Sequence, residues 1–87
     1  MVQTEQWVRL LAEDFGTAVP SEDETGRLLG LAGVAAHASE RTAAPISCWL
    51  AARAGISPAE ALRRSEALAA RLAVEGGTPG DPSGAAR

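Results

Sequence analysis

Apolar positions along this 87-residue chain recur at helical spacing, and no segment alternates in the manner of a strand. Trp7, Leu11 and Phe15, with Val8 beside them, share one stripe, which predicts a first helix over residues 5–15 with Thr4 as its cap and Gly16 as its stop. Two start signals follow, Ser21-Glu22-Asp23-Glu24 and Ser57-Pro58-Ala59-Glu60. Each puts a hydroxyl three residues before a glutamate, so that side chains and backbone can satisfy two orphan N–H groups reciprocally. The first signal opens a helix predicted over residues 22–41, whose three leading acids suit the positive end of its dipole and whose closing Arg41 suits the negative end. Leu28, Leu31, Ala32, Ala35 and Ala38 form its inward stripe.

Pro45 has no N–H and fits a helix only in the first turn, so a third helix is predicted over residues 43–54, ended by Gly55. Its expected core face is Ile46, Trp49 and Leu50. Pro58, at the first helical position after Ser57, opens a fourth helix that runs to about residue 75, with Ala61, Leu62, Leu68, Ala69 and Leu72 inward and Gly76-Gly77 as its stop. Trp7 and Trp49 are expected as core anchors, their alternative role being that of interface hot spots. The expected fold class is all-α, a compact four-helix domain over residues 1–75. Residues 76–87, GGTPGDPSGAAR, carry no large apolar side chain, which predicts a disordered, flexible tail.

Composition changes this picture in one respect. The hydrophobic share of 46% includes 19 alanines and one cysteine, leaving 20 Val, Ile, Leu, Met, Phe and Trp residues to build a core. Such a core is thin, and a domain of this size has a narrow stability margin. A permanent partner or self-association would supply the burial that the chain itself lacks. The eight basic residues are all arginine against 11 acids, for a formal charge of -3, a balance that speaks against a surface wrapping nucleic acid. A single cysteine allows no internal disulfide and suits a reducing cytosol, and Glu5 and Arg9 interrupt any leader-like apolar run. No stretch approaches the length of a membrane span, so a cytoplasmic protein is expected.

Candidate chemistry centres on one face of the second helix. Gly26, Gly30, Gly33, His37 and Arg41 are spaced four, three, four and four apart, which places them together if the helix runs through to Arg41. Interior glycines cost about 0.8–1 kcal/mol each relative to alanine. Either another helix of the domain packs closely there, or a partner element or anionic ligand sits beside His37 with Arg41 as its fixed charge, or the glycines reflect GC-rich coding alone. Gly30, Gly33, His37 and Arg41 are accordingly the candidate partner or ligand face. No catalytic residue, metal site or cofactor is expected. Cys48 reads as a small buried thiol, and Glu22, Asp23 and Glu24 are explained by capping and the helix dipole. One histidine and one cysteine leave too few ligands for zinc.

The run Leu50-Ala51-Ala52-Arg53-Ala54-Gly55-Ile56-Ser57-Pro58 is similar to the turn of helix-turn-helix regulators, in which case Arg63, Arg64 and Arg71 would face DNA. Pro58, Ala59 and Glu60 stand where base-reading side chains belong, so this remains an alternative.

The segment Val34-Ala35-Ala36-His37, Glu40-Arg41-Thr42-Ala43-Ala44-Pro45-Ile46 and Trp49-Leu50, with Trp7, Leu11 and Pro58-Ala59-Glu60-Ala61, resembles a small bacterial family of unknown function across most of residues 4–75. Its members occur alone or fused behind a nucleotidyltransferase-like domain of molybdenum-cofactor guanylylation. The resemblance implies a non-enzymatic accessory or protein-interaction module with a nucleotidyltransferase partner, and it carries over no catalytic residues. The other alternative is a binder of a small anionic ligand or nucleotide at His37 and Arg41.

Overall fold

The computed structural model of the chain describes residues 2–75 and consists of four helices: α1 (Thr4–Phe15), α2 (Glu22–Ala38), α3 (Ala43–Ala54) and α4 (Pro58–Glu75). The described residues contain no strand, so the fold is all-α as expected; the tail expected over 76–87 lies outside them.

Local chemistry explains most boundaries. At α2 the capping box is complete: Ser21 Oγ accepts from the Glu24 N–H at 3.0 Å, and the Glu24 carboxylate accepts from the Ser21 N–H at 2.8 Å. At α4 it is half formed, because Ser57 Oγ accepts from the Glu60 N–H at 3.1 Å while the Glu60 carboxylate turns to Arg63 and Arg64. α1 and α3 end in the same way. Gly16 (φ 71°) and Gly55 (φ 75°) adopt the left-handed conformation, and the next residues, Thr17 and Ile56, donate back to Ala12 and Ala51. A side chain is strained at that φ, which is why both stops are glycine.

Two boundaries differ from expectation. α1 starts at Thr4, not after it, and its N-cap Gln3 makes no side-chain cap bond. α2 stops at Ala38, three residues before Arg41, and Ser39 leaves the helical region at φ -132°, ψ -111°. Pro45 must lie in the first turn of α3, so α3 starts at Ala43 and the chain must turn over Ser39–Thr42 to bring α3 back along α2.

α2 is the shared partner of the fold. It packs along both α3 and α4, and no other pair of helices packs to a similar extent. Leu31 of α2, 4% exposed, is the one large buried side chain among the described residues, and it sits with Ala51 of α3 and Ala61 of α4, with Cys48 and Ile56 against them. Alanine at both contact points lets the α3 and α4 backbones approach α2 closely. Leu28, Leu31, Ala32 and Ala35 of the expected stripe are covered, whereas Ala38 is exposed.

The expected core face of α3 is corrected. Ile46, Trp49 and Leu50 point away from α2, and the inward face is the small-residue stripe Ala44, Cys48 and Ala51. The expectation that Trp7 and Trp49 are core anchors fails for the same reason, since they are 55% and 58% exposed. On α4, Ala61, Leu62 and Ala69 are covered while Leu68 and Leu72 stand about half exposed.

Candidate functional site

Three surfaces combine side chains in ways that packing within the chain leaves open. The first is the outer face of α3. Ile46, Trp49 and Leu50 lie at i, i+3 and i+4, so one face of a short helix presents three large apolar groups to solvent. Arg53, one turn further on, lays its guanidinium over the Trp49 ring at 5.3 Å from the centroid.

The second is an apolar groove of about 190 Å³ where α3 and the C-terminal half of α4 part from the end of α2. Val34, Ala35 and Ala38 form its floor and Leu68 and Leu72 one wall. On the other side of Val34 and Ala38, His37 and Glu66 border a shallow open depression.

The third is α1. Val8 faces Val19, Pro20 and Thr25 across a cleft at the start of α2, and Ala12 is buried. Trp7, Leu10 and Phe15 are left facing outward.

Of the residues expected as a partner or ligand face, Gly30, Gly33 and His37 lie on α2, and Arg41 lies beyond its end. A methyl group at Gly30 would stand 3.2 Å from Leu62 Cδ1 and Cδ2, so that glycine lets α4 approach α2. A methyl group at Gly33 would meet no neighbouring element within 4 Å. His37 is exposed on the last turn of α2, and Arg41 is exposed in the turn beyond it, off the helix that was to align them.

The polar groups of α4's first turns and Cys48 are engaged in local structure. Glu60 accepts from Arg63 Nε at 3.0 Å, from Arg63 Nη2, and from Arg64 Nε at 2.7 Å. These bonds, Arg63 first, hold its carboxyl down at about 2, and they occupy two of the three arginines on which a DNA-reading helix would depend. The Cys48 thiol points at the Leu28 carbonyl, 3.9 Å away, and burial pushes its pKa up, opposite to what a nucleophile requires. No group of three or more His, Cys, Asp or Glu side chains suited to a metal ion occurs among the described residues, and no helix there is long and apolar enough to cross a membrane.

Fold and surface together describe a small helical domain that turns its largest apolar side chains outward. The chain belongs to a family defined as a domain of unknown function (DUF6457), whose model matches residues 1–79. No curated protein and no solved structure matches it.

On the outer faces of α1 and α3, sequence pattern offers Trp7 and Trp49 as interface hot spots only as an alternative to core anchors, and places Ile46 and Leu50 in the core. The signal was present in the second, all-small stripe Ala44, Cys48 and Ala51, which competes with Ile46, Trp49 and Leu50 for the inward position and suits close approach to α2.

Proposed function

We propose that this domain is a non-enzymatic protein-interaction module, and that its partner is a nucleotidyltransferase of molybdenum-cofactor guanylylation. One observation carries the interaction reading: Leu31 is the one large side chain buried among the described residues, while Trp7, Phe15, Ile46, Trp49 and Leu72 are at least half exposed. A monomeric domain rarely leaves so many large apolar groups in water without a binding use for them. The identity of the partner rests on the resemblance carried by His37, Arg41 and Pro45.

The groove of Val34, Ala38, Leu68 and Leu72 supports docking of an apolar helix of that enzyme, whose side chains would enter at i, i+3 or i+4 intervals. His37 and Glu66 lie beside it as polar rim. This keeps His37 at the contact but makes Leu68 and Leu72 its anchors. Affinity purification from the native host, with mass spectrometry, tests the reading. The parent chain is expected to retain the nucleotidyltransferase, and Leu68→Glu with Leu72→Glu is expected to lose it. Recovery of the parent chain without that enzyme contradicts the proposal.

A further inference from the structure

α1 and α3 carry the same outward pattern. Trp7, Leu10, Leu11 and Asp14 lie at i, i+3, i+4 and i+7 on α1; Ile46, Trp49, Leu50 and Arg53 lie at i, i+3, i+4 and i+7 on α3. Each is an apolar stripe of three side chains closed by one charge, acidic on α1 and basic on α3. Trp7, Leu10, Ile46, Trp49 and Leu50 are all 47–58% exposed, and Leu11 is partly covered. Neither Asp14 nor Arg53 forms an ion pair among the described residues; Arg53 rests on the Trp49 ring. α1 does not pack along α3 of its own chain.

We infer that the chain forms a two-fold dimer in which α1 of each copy lies along the outer face of α3 of the other. Laid parallel, the two stripes match position by position: Trp7 against Ile46, Leu10 against Trp49, Leu11 against Leu50, and Asp14 against Arg53. Reversing one helix puts Asp14 against Ile46 and leaves both charges unanswered, so the charges choose the direction as well as the partner. Each copy owns one stripe of each kind, so two identical contacts close the pair and use all four stripes. The six apolar side chains present roughly 600 Å² per copy, so the pair covers about 1,200 Å² in total, the lower limit for a specific interface. This surface is distinct from the groove lined by Leu68 and Leu72, and the dimer can be present or absent whatever that groove binds.

The test is sedimentation equilibrium on the full 87-residue chain at tens of micromolar. The parent is expected at twice its 8.9 kDa mass. Asp14→Arg sets like charges against each other in both contacts, as does Arg53→Asp, and either variant alone is expected to weaken the dimer about tenfold or more. Mixed in equal amounts, the two variants are complementary across both contacts, and the mixture is expected to recover the dimer. Pairing within one chain cannot produce that recovery. A second readout needs no substitution: the emission of Trp7 and Trp49 should shift to the blue as the parent is concentrated, with the same midpoint as the mass. A monomeric parent, a dimer indifferent to both reversals, a mixture that stays monomeric, or emission that ignores concentration overturns the proposal.

Discussion

Gly33 and Gly30 separate two reasons for keeping a glycine inside a helix. At Gly33 a methyl group meets no neighbouring element, so Gly33→Ala recovers helix propensity at no steric cost and should raise thermal stability by about 0.8–1 kcal/mol. At Gly30 the methyl group presses on Leu62, so Gly30→Ala should gain less, and a larger gain there than at Gly33 would show that α4 stands further off than described. Calorimetry on the two variants makes the comparison. Leu31 lies at the other extreme: Leu31→Ala removes the central large side chain of the core and is expected to lower stability by about 2–5 kcal/mol, enough to unfold so small a domain. Glu60 has a pH signature. Its carboxyl sits at about 2 in the fold against an ordinary 4.5, so the unfolded chain binds that proton more tightly. The stabilisation from Arg63 and Arg64 is therefore complete above about 4.5 and is lost as pH falls from there toward 2. Glu60→Gln should flatten that section of the melting-temperature profile relative to the parent; identical profiles would show that the arginines do not hold the carboxylate in solution.

At the scale of the element, punctuation was legible and facing was not. Ser21, Ser57, Gly16, Gly55 and Pro45 mark ends through hydrogen bonds and φ values that depend on a few adjacent residues, and the helices they bound are present. The end of α2 is not legible because the stripe to Arg41 continues past it, and the turn needed to bring α3 back along α2 carries no glycine to announce it. On α3, both faces are apolar: one is large and the other small. Periodicity locates an apolar stripe but does not say which body covers it, and here the small stripe wins the inward position because Ala51 fits against Leu31. The candidate face at Gly30, Gly33, His37 and Arg41 needs one continuous helix, and it loses Arg41 where α2 ends at Ala38 while the other three stay on α2.

For the whole molecule, the account rests on an inversion in which alanine packs the inside and large apolar groups face out. The thin core counted from composition is real, and the structure thins it further by spending Trp7, Phe15, Ile46 and Trp49 on the surface. Such an arrangement is what the two proposals would complete, a second copy on α1 and α3 and a partner helix on the α2–α4 groove. Acrylamide quenching of Trp7→Phe and Trp49→Phe, each with one remaining indole, tests this most directly when read at a dilution where the chain is monomeric. Each indole is expected to emit as a solvated tryptophan and to be quenched roughly half as fast as free indole, in keeping with exposures of 58% and 55%. Blue-shifted emission with strong protection from the quencher in the monomer would place both rings in the interior and contradict the account.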